Sequence, residues 1–291
     1  MIDAALVDAY LGRLGVEREP PSVDGLRRLH RAHVERVPYE TVWIHLGEAW
    51  DIDPVRAVER IARRSRGGYC FHVNGAFTEL LRALGYRTTI HVGGVHGPAG
   101  PSGDEMANHL VVIVHDLPDD DHPDGTWYVD AGLGDALYEP LPLRPGEHRQ
   151  DPLTLTLERP ASAAAHPGHL GEWHLVHDPL HGSFTGMSFR ADPATTSAFA
   201  DKHRWLSTSP ESGFVRTLTV QRRDASGIDV LRGCVLRRIG DDSADAFVDE
   251  RAEWFDALGD VFGLRLDGVG LEARDALWTR VSEAHETWQA R

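Results

Sequence analysis

Apolar positions recur at three- to four-residue spacing through the first 86 residues and change to short runs and alternation afterwards. Ile2, Leu6, Tyr10 and Leu14 predict a helix that Gly15 stops. Leu26, Leu29, Val34 and Val37 predict a second, capped by Ser22 or Asp24 and ended by Pro38. Asp53-Pro54 opens a short third helix with Val55, Val58 and Ile61 inward. Phe77, Leu80, Leu81 and Leu84 line a fourth that ends at Gly85. Beyond Gly85 the segments YRTTIHVGGV, HLVVIVHDL, TWYVDAGL and LTLTLE are short, β-branched or aromatic, and bounded by Gly, Pro and Asp. EWHLVHD and GSFTGMSFR extend this β-rich stretch to about Arg190. FVRTLTVQRR and IDVLRGCVLRRI predict further strands joined through the turn DASG, and Leu277, Val281, Ala284 and Trp288 predict a terminal helix. No internal repeat is present. Helical, then β, then mixed order predicts a layered mixed architecture.

The bulk numbers narrow the function. A chain of 291 residues, 41% apolar and 26% charged, is long enough for a sizeable core. Its formal net charge of -15 argues against nucleic acid or an anionic membrane as main partner. It leaves room for a small anion in a local basic pocket. Two cysteines, Cys70 and Cys234, make no disulfide framework; they form one bridge or, more simply, two reduced thiols. MIDAALVDAYLGRLG lacks a signal peptide's basic and apolar regions, and no apolar run approaches membrane-spanning length. The expected location is cytoplasmic.

Cys70 follows Gly67-Gly68 and stands at the start of the fourth helix. Unpaired N–H groups and the positive end of the helix dipole favour an anionic sulfur there. The glycines leave space in front of it. A nucleophile needs both features, but a buried structural cysteine is the common alternative. The discriminating feature is a partner base. His109 opens the strand NHLVVIV, and Asp130 ends the strand WYVD before a glycine-rich turn. In a Cys–His–Asp set the His takes the thiol proton and the Asp orients the ring. Seventeen histidines compete with His109, and Asp130 alone could serve as a turn-former.

At this point the sequence resembles the arylamine N-acetyltransferase family. Arg66–Cys70, RGGYC, with Phe71 and Asn74, is similar to its active-site signature. LHRAHVERVPYE, NHLVVIV, VDAGLG and WLSTSPESGFV match further family segments in order, over about residues 1–235. The resemblance implies an α+β fold of three domains with a cysteine-protease- and transglutaminase-like core. These would be a helical bundle over 1–86 carrying the nucleophile, a β-barrel over 87–195 carrying the His and Asp, and an α/β lid over 196–291. It implies Cys70 as nucleophile, His109 as base and Asp130 as orienting acid. It also implies ping-pong transfer of acetyl from acetyl-CoA to an arylamine or hydrazine. No metal cofactor is implied.

Arg66 and Glu40 are expected to form a buried ion pair, with Arg13 as a third member, and Gly68 to support the same loop. Phe71, Gly132, Leu133, Gly134, Ser209 and Ser212 are the residues expected at the donor and acceptor pocket. The turn at Gly132 and Gly134 could offer N–H groups to an oxyanion or simply meet a backbone need. Two departures stand out. His72 replaces the usual Glu or Gln and is expected to be structural, since at i+2 on a helix it points away from Cys70. Leu133 replaces the usual Phe and is expected to reshape the acceptor pocket.

Three rival readings remain. An amide synthase would take a bulkier acyl chain from a carrier-protein thioester with the same triad. A hydrolase or peptidase would need water at the thioester and an open groove. A non-catalytic scaffold would lack a triad member. Cys70-x-His72 lacks further ligands for zinc. The five histidines from His166 to His181 are a minor candidate for a metal patch. PDDDHPDG reads as a solvated turn, and VGGVHGPAG does not have dinucleotide-loop spacing.

Overall fold

The computed structural model describes residues 2–159, 171–240 and 244–290. The N-terminal part contains helices α1 (Ala4–Leu14), α2 (Val23–Arg36), α3 (Val42–His45), α4 (Pro54–Arg64) and α5 (Cys70–Ala83). The two-residue strand β1 (Tyr39–Glu40) lies between α2 and α3. Local chemistry sets the helix ends. Asp3, Ser22 and Asp53 accept backbone N–H bonds as N-caps, Pro54 occupies the first turn of α4, and Gly15 closes α1 in the left-handed region.

The middle of the chain supplies β2 (Arg87–His96), β3 (His109–His115), β4 (Trp127–Val129), β5 (Leu141–Pro142), β6 (Gly146–Gln150), β7 (Leu153–Glu158), β8 (Trp173–Val176) and β9 (Gly186–Ala194). They form an antiparallel sheet in the order β5-β4-β3-β2-β9-β8-β7-β6. Its edge strands β5 and β6 are separated only by residues 143–145, so the two edges come together and the sheet nearly closes into a barrel. Helices α6 (Ala200–Thr208) and α7 (Gly213–Arg216) lead to β10 (Thr219–Arg223), β11 (Gly227–Arg232), β12 (Val235–Gly240) and β13 (Ala244–Phe247). Helices α8 (Arg251–Asp256) and α9 (Leu271–Gln289) end the chain. The second sheet runs β1-β10-β11-β12-β13, with Tyr39 opposite Gln221 and Glu40 opposite Val220.

Three apolar cores follow from strand and helix periodicity. On β3, Leu110, Val112 and Val114 pack on the helical core while Val111 and Ile113 face the barrel interior. This burial on both faces explains the unbroken apolar run. Leu153, Leu155 and Leu157 alternate with Thr154 and Thr156 on β7 and fill the same interior. Ile228, Val230 and Ile239 of the second sheet close it. The sheet's other face packs Val220 and Leu231 against Trp254, Leu277 and Val281 of α8 and α9.

The structure differs from the sequence expectation at several points. Phe214–Arg216 are helical rather than strand, because Ser212 caps them through the Phe214 N–H. Ala284 and Trp288 are exposed on α9, and the buried stripe is Leu277, Val281 and His285. The short strands β1, β5, β6 and β13 had no apolar alternation to announce them. Among the described residues, no helix is long and apolar enough to cross a membrane.

Candidate active site

Cys70 is the first residue of α5, preceded by Tyr69 in extended conformation. Its side chain is buried, with Sγ 3.5 Å from the Asn108 carbonyl oxygen. Gly68, at φ +86°, lets the chain turn into this helix; a Cβ there would lie 2.6 Å from His72 Nδ1. Below the turn, Arg66 Nε donates to Glu40 Oε1 at 2.9 Å, with Glu40 fully buried. Burial works against the Arg66 charge, but Glu40 and then Glu48 outweigh it and hold the guanidinium protonated. The third partner is Glu48, whose Oε1 lies 3.6 Å from Arg66 Nη1. The expected third member, Arg13, instead donates to the Arg36 carbonyl.

His109 opens β3, and Asp130 follows the adjacent β4. His109 Nε2 and Asp130 Oδ2 are 2.7 Å apart, and both side chains are buried. Burial disfavours the His109 cation. The Asp130 charge and the hydrogen bonds to Asp130 and Cys70 outweigh it and raise the His109 pKa. Burial likewise works against the Asp130 anion, yet His109, Asn74 and Tyr128 hold its carboxyl below the usual range. With Nε2–H on Asp130, Nδ1 is the ring nitrogen left for the sulfur.

Every lone-pair direction of Asp130 has a donor. Tyr128 Oη donates to Oδ2 at 2.8 Å, while Asn74 Nδ2 and the Gly132 N–H donate to Oδ1 at 2.7 and 3.0 Å. Asn74 lies one turn beyond Cys70. It also donates to the Leu110 carbonyl and accepts from the Ala131 N–H, joining α5 to both strands. The i, i+4 spacing from Cys70 was the available sequence signal for this role; nothing comparable marked Tyr128.

The glycine turn fits tightly against Cys70. A Cβ on Gly132 would lie 2.9 Å from Cys70 Cα, and one on Gly134 would meet Gln221. At Gly132 the structure shows a close backbone approach. Its N–H already serves Asp130 and is not free for an oxyanion. Leu133 packs inside the barrel core, and Phe71 is buried against Phe199. The buried Ser212 hydroxyl donates to the Leu206 carbonyl, and Ser209 Oγ accepts from the Glu211 N–H at 3.3 Å.

His72 sits in an aromatic cluster with Trp43, Trp50, Tyr69 and His203. Its Nε2 is 3.1 Å from the Asp51 carbonyl oxygen. Burial, aided by Arg60 and His203, pushes its pKa well down, so it is neutral. Cys234 is buried in the C-terminal core as a free thiol, and burial raises it to about 11. Of the histidine-rich segment, His166 and His169 lie outside the described residues. His174, His177 and His181 have separate partners in Ser188, the Asp135 carbonyl and Asp178.

A cleft of about 550 Å³ lies between the second sheet, α9 and residues 181–183. Arg216, Arg232 and Arg280 line it, and among the described residues none has a carboxylate partner. Arg237 also lines it but is paired with Asp245 at 2.6 Å. Exposed Phe247 and Trp288 stand in the lining. These residues are scattered over 73 positions of sequence, so no motif announced them. Arg223 is another residue the sequence did not mark. Among the described residues it has no acid partner; it is buried and donates to the carbonyls of Ala136, Gln150, Asp151, Asp224 and Gly227, tying barrel to second sheet. Burial lowers its pKa to about 10.

A family model described as N-acetyltransferase matches residues 22–270. Arylamine N-acetyltransferase 2 of Mesocricetus auratus is 27% identical over 283 residues, 90% of this chain and 94% of the relative. The arylamine N-acetyltransferase structure from M. tuberculosis is 25% identical with a TM-score of 0.80, covering 97% of this chain and 100% of that one. That from Mycobacterium marinum, solved in complex with CoA, shares the fold at 24% identity and a TM-score of 0.81, covering 96% and 99%. A match across most of the length, joined to a Cys, a His and an Asp held on α5, on β3 and just after β4, has one reading: this chain belongs to the arylamine N-acetyltransferase family.

Proposed function

We propose that this protein transfers an acetyl group from acetyl-CoA to an aromatic amine or hydrazine through an acyl-cysteine on Cys70. The observation that carries this is His109, held between the fully bonded Asp130 carboxylate and the sulfur at the start of α5. In the first half-reaction, His109 Nδ1 takes the thiol proton and the sulfur attacks the thioester carbonyl. The tetrahedral intermediate collapses, the C–S bond to CoA breaks, and the His109 imidazolium returns the proton to the departing thiolate. In the second, the amine attacks the acyl-cysteine. His109 takes the proton from nitrogen and returns it to the cysteine sulfur as the amide leaves. Asp130 stays ionised throughout, fixing the ring tautomer and stabilising the imidazolium. Arg66 and Glu40 hold the loop that delivers Cys70.

The arginine-lined cleft supports a nucleotide-bearing donor over a carrier-protein thioester. Guanidinium groups without acid partners suit phosphate, and exposed Phe247 and Trp288 offer faces for a purine. No metal enters these steps.

The test is intact-protein mass measurement after mixing with acetyl-CoA and no acceptor, with Cys70→Ser as control. An acetyl adduct on the native chain that disappears on adding an aromatic amine supports the ping-pong route. No adduct, with the thiol still readily alkylated, overturns acetyl-CoA as donor and makes the carrier-protein amide synthase the leading reading. Hydrolysis of the adduct as fast as transfer points to the hydrolase.

A further inference from the structure

Asp135 follows Gly134 at the end of the turn that packs on Cys70. Its side chain is fully buried, and it has no lysine or arginine partner among the described residues. A buried carboxylate is costly unless it is hydrogen-bonded. Asp135 Oδ2 accepts the Ser183 backbone N–H at 2.8 Å. Its backbone carbonyl accepts from His177 Nε2 at 3.1 Å, and its own N–H donates to the Leu133 carbonyl at 2.9 Å. His177 is buried beneath the same loop. Phe184 meets it edge-on at 4.3 Å, and a Cβ on Gly182 would lie 2.2 Å from its Nδ1.

Ser183, Gly182 and His181 line the arginine cleft, while Leu133 and Gly134 belong to the turn over the nucleophile. One residue therefore bonds to both segments. We propose that Asp135 is a positioning residue: with His177 beneath it, its carboxylate fixes the cleft loop at residues 178–183 to the glycine turn, so that a donor bound in the cleft is held in register with Cys70. This rests on the donor reading of the cleft. It adds the device that couples binding there to the chemistry some residues away.

Three readouts on the full chain test it. The first is amide exchange at Ser183, which needs no activity. The second is the KM and kcat for acetyl-CoA at saturating aromatic amine, and the third is the rate of Cys70 alkylation by iodoacetamide. Loss of one buried acceptor in Asp135→Ala is expected to speed Ser183 exchange and raise the acetyl-CoA KM by about tenfold each, with kcat and alkylation within about twofold. Asp135→Asn keeps a side-chain oxygen for the Ser183 N–H and is expected to restore both.

Ser183 exchange that is already fast in the native chain overturns the proposal. So does a KM unmoved by Asp135→Ala, or an alkylation rate that falls with it, which marks general damage to the site. Failure of Asp135→Asn to restore either value also overturns it. If the native chain turns over no acetyl-CoA, the donor reading fails, while the exchange comparison still decides whether Asp135 holds the loop.

Discussion

The Cys70–His109–Asp130 cluster and the cleft are built on opposite plans. Around Cys70, His109 and Asp130 almost every polar atom is buried and paired, and the donors to Asp130 come from α5, β3, β4 and the glycine turn. In the cleft, Arg216, Arg232 and Arg280 are exposed and unpaired by acids among the described residues. Buried, mutually bonded groups have one geometry, because any alternative leaves a polar atom unsatisfied. Long exposed side chains have many. On the proposed function, the chemistry is thus fixed by packing, whereas recognition of the donor falls to groups that adapt and respond to salt.

The comparison breaks first at Asp130. Replacing it by Asn keeps the shape but removes the charge that holds the His109 proton. Acetyl transfer is expected to fall on the order of 10⁴-fold, judged from acid removal in other triads. Folding stability is expected to fall by about 3 kcal/mol where the pair is intact. The pH dependence has a definite sign. The His109 pKa is raised in the fold, so its contribution is whole below about pH 6.5 and is lost as pH rises through the raised value. The Asp130 pKa is lowered, so its contribution is present above about pH 4 and is lost as pH falls through the lowered value. Denaturant unfolding of the native chain and Asp130→Asn at pH 6 and pH 10 should give the larger difference at pH 6. A difference that grew with pH would contradict the imidazolium–carboxylate assignment.

The cleft predicts the opposite pattern. Arg232→Ala with Arg280→Ala should raise the acetyl-CoA KM about tenfold, since a charge-assisted contact to phosphate contributes roughly 1.5–3 kcal/mol before screening. The native KM should rise with salt and the double variant's much less. Cys70 alkylation and thermal stability should stay where they were, because neither arginine supports packing. Equal KM values for the native chain and the variant would remove the cleft as the donor site.

What the sequence disclosed follows the same division. The helices opened at Ser22 and at Asp53 were readable because capping chemistry is local. Cys70, His109 and Asp130 stood out because a glycine pair, a strand start and a strand end are short-range signals. Tyr39–Glu40 pairing with Gln221–Val220 was not readable, since two residues carry no period and the partner lies some 180 positions away. The same holds for Glu48 beside Arg66, for Ser183 beside Asp135, and for the carbonyl cage around Arg223. Each is a product of tertiary approach between segments that are individually unremarkable. Phe214–Arg216 misled because an apolar, β-branched string was interrupted by a serine cap whose hydroxyl outweighed the strand preference of two residues.

The smallest effect is expected at His72, and it sharpens the boundary between chemistry and support. His72 is two residues from Cys70 and titratable in type, yet its pKa lies well below its ordinary value, and its Nε2–H donates to the Asp51 carbonyl. Its ring meets Trp43, Trp50 and Tyr69 edge-on at 5.4, 5.6 and 4.9 Å. Glutamine can keep the bond to Asp51 but loses these ring contacts, so His72→Gln should cost about 1–2 kcal/mol of stability. The rate and pH profile of Cys70 alkylation should hardly move, because His109 remains the only base at the sulfur among the described residues. The decisive comparison is that pH profile in the native chain, in His72→Gln and in His109→Gln. Loss of a titration in His109→Gln alone fits the assignment. Loss of one in His72→Gln as well would make His72 part of the proton path, and the paired interior around Cys70 would then hold a second base.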